Sequence, residues 1–340
     1  MSGHGRRGGW SQFMRVTGTG EGAAGVDGTA EVAVAEAPGA ALQPRDAWSR
    51  LVAYAEAVKF RLVVLLGLGA VVGGAAGLAS LGGAAPPDGG LRLAWATVAV
   101  VLGCMGANAI TGYIDRDMDA VMERTRHRPV PTGRLRPAES LVFGLVLVAA
   151  ACLTAAVKTN WWAVTWLLFG VVDSAVIYNG LTKPRTSWNV ILGSPAGGAP
   201  VMVGAAAVTG TAFSPVPFIV AALVVAWTPL HIWSLAIRYV ADYRRAGVPM
   251  LPVVIGVPKA ARCVGWASLG LCATAALLAF VGGFSSHAVA LTLALQVPIV
   301  TGALAVMRSP TPERAWVLFK LSSPYLAVVF LITIWQSLAG

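Results

Sequence analysis

Hydrophobic residues fall into nine runs along the chain, and polar residues are collected in the short stretches between them. A helix needs about 20 apolar residues to cross the hydrocarbon core of a bilayer, and all nine runs are near that length. The pattern therefore predicts an all-α, polytopic membrane protein with nine transmembrane helices surrounded by lipid. The runs cover residues 58–80, 92–112, 138–157, 161–179, 189–209, 214–236, 262–283, 286–307 and 316–338.

The beginning of the chain has a different character. Residues 1–45 are rich in glycine, alanine and glutamate and contain no long apolar run. They also lack the short apolar core and the cleavage site of a secretory signal. We expect residues 1–50 to form a disordered cytoplasmic tail and residues 51–340 to form the nine-helix membrane domain.

The composition favours a membrane environment and excludes most soluble classes. Hydrophobic residues make up 56% of the chain, charged residues 12%, and the mean hydropathy is +0.71. Soluble domains carry roughly 25% charged residues, so an ordinary soluble globule and a disordered protein are excluded. The net charge of +10 could indicate a nucleic-acid partner. Cationic loops that face the cytoplasm explain this charge better in a membrane protein, and we expect no nucleic-acid binding.

The distribution of basic residues predicts the orientation of the helices. When the nine runs alternate in direction, only Arg92 and Lys158 of the 25 lysines and arginines lie opposite the N-terminus. Lysine and arginine accumulate in cytoplasmic loops, so the N-terminus is predicted inside and the C-terminus outside. The long inner loops after the second and sixth runs hold acidic and basic residues together. We therefore expect the active site on the cytoplasmic side of the cell membrane (the inner or plasma membrane).

The end of the second run carries the first candidate site. Asp115 and Asp119 are four residues apart and share one face of a helix, whereas Asp117 points elsewhere. Asn108 and Thr111 precede the aspartates on the same face. Two like charges at this spacing repel each other, and Mg²⁺ commonly binds through one or two carboxylates together with substrate phosphates. The spacing therefore predicts a Mg²⁺ site.

Arginines follow these aspartates closely. Arginine binds phosphate oxygens in a bidentate manner. Carboxylates for a metal beside arginines for an oxyanion indicate a Mg²⁺–diphosphate site at the mouth of a transmembrane bundle. A solvated, salt-bridged helix end is the alternative for such a run. The arginines expected to bind the diphosphate are Arg116, Arg124 and Arg128.

The segment from Tyr113 to Pro129 reads YIDRDMDAVMERTRHRP and resembles the first aspartate motif of the UbiA superfamily of intramembrane prenyltransferases. Within that superfamily it is most similar to the protoheme IX farnesyltransferases (heme O synthases). The resemblance implies nine helices, Mg²⁺-dependent binding of a prenyl diphosphate, and farnesyl transfer to an apolar acceptor, heme b, to give heme o. It makes Asp115 and Asp119 catalytic metal ligands. Thr111 departs from the pattern, because the family usually has asparagine there.

The end of the sixth run, from Trp227 to Pro252, resembles the second motif of the same family. The resemblance makes Asp242 a third catalytic and metal-binding aspartate and Arg238 a further diphosphate ligand. Ala241 stands where the family has the first of two adjacent aspartates, so a second metal ion would have one carboxylate fewer.

Further residues take expected roles from the same resemblance. Lys183 and Arg185 resemble a basic segment that closes over the diphosphate, and plain cytoplasmic charge explains them equally well. The residues expected in the acceptor pocket are Asn108, Thr111, Tyr178, His231 and Trp233.

Asp173 lies in the middle of the fourth run. An ionisable side chain at membrane depth is costly and indicates a function. The family has an apolar or aromatic residue near this position, so the resemblance assigns it no role. Asn179 and His231 are its candidate partners.

Two other functions remain open. The altered residues Thr111, Leu230, Ala241 and Asp173 fit a UbiA-type paralogue that prenylates another aromatic acceptor or cyclises its own prenyl chain. A transporter or heme-delivery protein would use the acidic motifs for ion coupling. Broken helices at the midplane and an internal repeat would favour it. The sequence offers only a break at Pro229 and no convincing repeat.

Overall fold

The structure, a computed structural model, describes residues 46–339, and the predicted tail up to residue 45 lies outside the described residues. The described residues contain helices and no strand, which confirms the all-α class. A 3-10 turn (Gly82–Ala84) follows α2, and a π-helix (Asp173–Thr182) continues α6. In chain order the α-helices are α1 (Ala47–Ala57), α2 (Phe60–Leu81), α3 (Gly89–Ile114), α4 (Arg116–Val121), α5 (Pro137–Lys158), α6 (Trp161–Val172), α7 (Asn189–Gly193), α8 (Pro195–Thr209), α9 (Pro215–Arg238), α10 (Val240–Arg245), α11 (Leu251–Val254), α12 (Val257–Val281), α13 (Ser286–Arg308) and α14 (Pro312–Ala339).

Nine helical segments of the described chain are long and apolar enough to cross a membrane, as predicted. α6 and the π-helix form the fourth segment, and α7 with α8 forms the fifth. The largest difference from the predicted bounds is at α12, which begins at Val257 instead of residue 262. Hydrophobic runs mark only the part of a helix that lies in hydrocarbon, and the start of α12 includes the charged Lys259.

The spanning segments pack around a closed ring in sequence order. Each segment contacts the next one along the chain, and α14 closes the ring against α2. Across the ring, α2 also packs against α8, and α9 packs against α14. These contacts bury the apolar core between the helices and bring the ends of α3 and α9, which carry the two acidic motifs, to the same side of the bundle.

Glycines allow α2 and α8 to approach at backbone distance. A Cβ atom at Gly73 would lie 1.9 Å from the Val201 carbonyl oxygen, and one at Gly204 would lie 1.9 Å from the Ala70 carbonyl oxygen. No side chain fits at either position, and small residues are what permit such close packing of membrane helices. The glycine-rich sequence of α8 therefore serves packing.

Lys59, between α1 and α2, has a left-handed backbone conformation with φ 53° and ψ 56°. It is the one non-glycine residue with positive φ among the described residues. This conformation costs a residue with a Cβ atom roughly 1–2 kcal/mol. Asn108 Nδ2 donates to the Val58 carbonyl oxygen at 3.0 Å and holds this turn against α3. The helix before the turn begins at Ala47, so ordered structure starts before the predicted boundary at residue 51.

Asp173 begins the π-helix and is buried. Its Oδ2 accepts a hydrogen bond from the Ala196 backbone N–H at 2.8 Å. Ala196 lies in the first turn of α8, where backbone N–H groups have no helical partner. The expected partners Asn179 and His231 do not bond to Asp173, which instead ties the π-helix to the start of α8.

Candidate active site

The first acidic motif folds with two aspartates turned inward and one outward. Asp115 joins the end of α3 to α4. Asp115 and Asp119 are 4% and 3% exposed. The Asp117 side chain is 87% exposed and lies 3.6 Å from Arg116. The helical spacing therefore predicted the inward face correctly.

Asp115 is held by a lysine from a distant segment. Lys183 Nζ donates to Asp115 Oδ2 at 2.6 Å and to Asn179 Oδ1 at 3.2 Å. The π-helix brings this lysine to the site, because its wider turn continues to Lys183, whose N–H donates to the Tyr178 carbonyl oxygen. The other carboxylate oxygen, Asp115 Oδ1, is buried and has no hydrogen-bond partner among the described residues.

Asp119 and Asp242 each pair with arginine. Arg128 Nη1 donates to Asp119 Oδ2 at 2.7 Å. Asp242 Oδ2 accepts a hydrogen bond from the Arg124 backbone N–H at 3.2 Å, and its Oδ1 contacts Arg245. The bond to Arg124 joins the loop after α4 to α10, so the two predicted motifs meet.

The three predicted metal ligands are not gathered into one cluster. Within residues 46–339, no group of three or more histidine, cysteine, aspartate or glutamate side chains is arranged to hold a metal ion. Both oxygens of Asp242 are engaged by Arg124 and Arg245. In this structure Asp242 joins α10 to the loop after α4.

The six predicted diphosphate ligands divide into two groups. Arg116 and Arg185 donate to nearby backbone carbonyl oxygens at 2.9 and 2.8 Å, and Arg238 bonds to Glu313 at 3.1 Å. Among the described residues, none of the three forms a hydrogen bond or ion pair with Asp115, Asp119 or Asp242. The other three contact buried aspartates, Arg128 and Lys183 through their charged groups and Arg124 through its backbone N–H.

Lys59 is a cation of the site that the predicted set omits. Its Nζ donates to Thr111 Oγ1 at 3.5 Å, although an ammonium group has three donors. Burial, and next the neighbouring Arg128, lower the pKa of Lys59 to about 8, while Asp115 and Asp119 oppose this shift. The sequence carries a signal for it, because Lys59 and Arg61 resemble a K-P-R element of the family in which Phe60 replaces the proline.

An apolar cavity of about 230 Å³ adjoins this charged cluster. Asn108, on the helix that leads to Asp115, and Tyr178, whose carbonyl binds the Lys183 N–H, both line it. Apolar side chains such as Phe330 form most of the remaining wall, and no charged side chain is among the described lining residues. Such a cavity suits a hydrophobic ligand whose polar end lies at the aspartates.

The predicted acceptor residues are only partly brought together. Asn108 and Tyr178 line the cavity, and the other three do not. Thr111 is buried and donates to the Asn108 carbonyl oxygen at 3.0 Å. Trp233 is 8% exposed and belongs to the apolar core.

His231 belongs to a stack of aromatic rings between α9 and α14. The Trp227 ring covers one face of the imidazole at a centroid distance of 4.2 Å, and the Phe319 ring covers the other at 4.1 Å. Phe319 in turn stacks on Trp316 at 5.0 Å. Trp227 lines the cavity, so the stack leads from the cavity towards the start of α14.

The chemistry of the buried donors fits a hard divalent cation. Asp115 Oδ1 is a buried carboxylate oxygen that accepts no hydrogen bond from any described residue, and Asp119 follows one helical turn later. Magnesium prefers oxygen ligands and binds through one or two carboxylates. The nearby lysine and arginine side chains supply positive charge for further anionic oxygens.

The comparison with protein families identifies the fold. The model of the UbiA prenyltransferase family matches residues 53–324, which include both acidic motifs. The chain belongs to the UbiA prenyltransferase family. This family member is 43% identical over 259 residues to a protoheme IX farnesyltransferase of Desulforudis audaxviator, covering 76% of this chain and 81% of the relative. It is 41% identical over 239 residues to that of Thermoplasma acidophilum, covering 70% and 83%.

Solved UbiA structures share the same architecture. The apo structure of a UbiA homologue from Aeropyrum pernix aligns with a TM-score of 0.62 at 20% identity, covering 82% of this chain and 97% of the homologue. A UbiA homologue from Archaeoglobus fulgidus, bound to GPP and Mg²⁺, aligns with a TM-score of 0.59 at 14% identity, covering 83% and 99%. These similarities confirm the UbiA fold. The nine spanning segments of the described chain and the family match indicate a multi-pass membrane protein.

Proposed function

We propose that this UbiA family member transfers a farnesyl group from its diphosphate to heme b, in a Mg²⁺-dependent reaction that yields heme o. The observation that carries the proposal is the junction of a buried carboxylate–cation cluster with an uncharged cavity. A prenyl diphosphate has the same two parts, a polyanionic head and an apolar tail. The farnesyl length and the heme acceptor are supported by the names of the relatives, which are protoheme IX farnesyltransferases.

The charged cluster is assigned to the diphosphate. Lys183 and Arg128, now paired with Asp115 and Asp119, would turn to the phosphate oxygens as the anion arrives. The two aspartates would then hold Mg²⁺, which supplies charge neutralisation for the departing diphosphate when bound. Arg124, whose guanidinium donates to the Tyr243 hydroxyl at 3.2 Å, would contribute further positive charge. Preorganised cations of this kind stabilise the charge that develops as the C–O bond ionises.

The cavity is assigned to the farnesyl chain and the allylic cation. Its described lining holds no charged side chain and excludes bulk water from the carbon that becomes electrophilic. An electron-rich carbon of the acceptor then attacks this cation. In heme b that carbon belongs to a vinyl group, and addition of water completes the hydroxyethylfarnesyl substituent.

The site is assigned to the cytoplasmic side of the cell membrane. If the nine spanning segments alternate in direction, Arg92 and Lys158 are the only lysine and arginine of the described residues on the side opposite the acidic motifs. Positive charge is retained in cytoplasmic loops, and both acidic motifs lie in loops on the charge-rich side.

The decisive experiment is incubation of the purified chain with heme b, farnesyl diphosphate and Mg²⁺, followed by mass spectrometry of the heme. We expect a product with the mass of heme o that disappears when the metal is chelated. Consumption of farnesyl diphosphate without a modified heme would instead favour another aromatic acceptor or cyclisation of the prenyl chain.

A further inference from the structure

The hydrogen bonds of His231 determine which of its ring nitrogens carries the proton. Nδ1 lies 2.7 Å from Ser322 Oγ. Ser322 Oγ uses its own hydrogen for the Phe319 carbonyl oxygen, at 2.8 Å. With that hydrogen committed to Phe319, the serine oxygen accepts from His231, and this hydrogen-bond pattern assigns the proton to Nδ1 and the lone pair to Nε2.

The lone pair on Nε2 accepts no hydrogen bond from the described protein. No hydrogen bond joins Nε2 to another described residue, and Nε2 is not among the fully enclosed polar atoms. Trp227 and Phe319 cover both faces of the ring, so only its Nε2 edge is left for a ligand. The other described histidines, His127 and His287, are exposed.

This arrangement suits coordination of a metal ion that needs only one protein ligand. Metal-binding histidines usually donate their second N–H to a protein acceptor, which fixes the ring and makes the binding nitrogen more basic. A free divalent ion needs several protein ligands, and the described residues provide no such group around His231. Iron in a porphyrin already has four nitrogen ligands and needs only an axial one, for which histidine is common.

We propose that His231 Nε2 is the axial ligand of the heme iron when heme b binds as the acceptor. This inference rests on the proposed function. His231 lies one helical turn from Trp227, which lines the prenyl cavity, so an iron bond here anchors the porphyrin beside the farnesyl chain. Ser322 acts as a positioning residue that holds the imidazole by its other nitrogen.

The test is a titration of the full chain, in detergent, with ferric heme b, followed by absorption and electron paramagnetic resonance spectra. The parent should give the spectrum of an imidazole-ligated heme. His231→Ala should lose that signature and bind heme about tenfold more weakly or worse. Added free imidazole should restore the signature in His231→Ala. His231→Gln keeps a polar group for Ser322 but lacks the imidazole, so it should also lose the signature. His287→Ala, at an exposed histidine in the first turn of α13, is the matched control and should behave as the parent.

The possible outcomes separate this inference from the proposed function. If both His231 variants keep the parent's axial signature, the iron ligand is another group and the inference is refuted, even where heme o is still made. If the parent binds no heme but turns over farnesyl diphosphate with another acceptor, the heme assignment fails and the iron bond fails with it. Loss of the signature in both variants, with melting curves like the parent's, supports the inference.

Discussion

Lys59 combines three properties that rarely occur together in a residue without function. Its backbone is left-handed, burial lowers the pKa of its ammonium beside the aspartate motif, and the one hydrogen bond it makes to a described residue is a long one to Thr111. Strained conformations persist where the surroundings impose them, and they cluster at ligand sites. We interpret Lys59 as a cation held ready for the diphosphate, with two of its three donors not bonded to any described residue.

The first prediction follows from the titration of this lysine. The pKa of Lys59 is about 8, so its ammonium form is lost as the pH rises through that value. The affinity for inorganic diphosphate with Mg²⁺ should therefore decrease between pH 7 and pH 9 (about one unit either side of this pKa) in the parent. Lys59→Arg keeps its charge over this range and should flatten the decrease.

Calorimetric titration at each pH measures the affinity. Arg61→Gln, at an exposed cation two residues later, should keep the parent's profile. Identical profiles for the parent and Lys59→Arg would argue against this role.

The second prediction separates the inward and outward aspartates. Asp115→Asn or Asp119→Asn removes a buried carboxylate, and turnover should decrease by about a hundredfold or more if charge stabilisation dominates the barrier. Asp117→Asn alters a side chain that is 87% exposed and should have a much smaller effect. Initial rates of farnesyl transfer measure the difference, and thermal melting checks that each variant is folded. Equal losses in all three would contradict the face assignment.

At this scale the sequence predicted spacing well and tertiary partners poorly. The separation of Asp115 and Asp119 from Asp117 follows from helical periodicity alone. The engagement of Asp242 by Arg124 depends on residues 118 positions apart, which periodicity does not reach. The placement of Arg238 on Glu313, 75 positions away, has the same cause.

At the scale of elements, the crossing of α2 and α8 depends on glycine. The third prediction is that Gly204→Ala destabilises the protein, because its Cβ atom would lie 1.9 Å from the Ala70 carbonyl oxygen and a helix backbone cannot move aside. Overpacking of this kind typically costs about 1–3 kcal/mol. Gly270→Ala is the matched control, since a Cβ atom there meets nothing within 4 Å. Melting temperatures in detergent compare the variants. A Gly204→Ala protein as stable as Gly270→Ala would show that the helices separate easily.

The π-helix is the element that hydrophobic patterning missed. The fourth run predicts a regular helix, whereas the structure has a π-helix over Asp173–Thr182. Apolar content does not report the hydrogen-bond register, which depends on contacts such as that between Asp173 and Ala196. The consequence is functional, because the wider turn leads directly to Lys183 and its bond to Asp115.

At the scale of the whole molecule, the number and order of spanning segments were predictable. Hydrophobic length is a strong signal in lipid, because each span must satisfy its own backbone hydrogen bonds as a helix. The closure of α14 on α2 was not predictable, because it joins the two ends of the domain. That closure places Phe330 of α14 and Gly69 of α2 in the wall of the same cavity.

The last prediction concerns the direction in which the bundle crosses the membrane. The described chain has nine spanning segments, and their alternation places Arg92 and Lys158 opposite the other basic residues of that part of the chain. This arrangement predicts a cytoplasmic N-terminus and an external C-terminus. A reporter that fluoresces only inside the cell should be active when fused after Gly133, in the loop between the first motif and α5. A phosphatase that is active only outside should report after Gly340. Exchanging the two reporters gives the control, and both should then be silent. Activity of one reporter at both positions would require an even number of crossings between them. The loop after residue 133 and the C-terminus are separated by seven spanning segments, an odd number, so that result would refute the nine-helix topology.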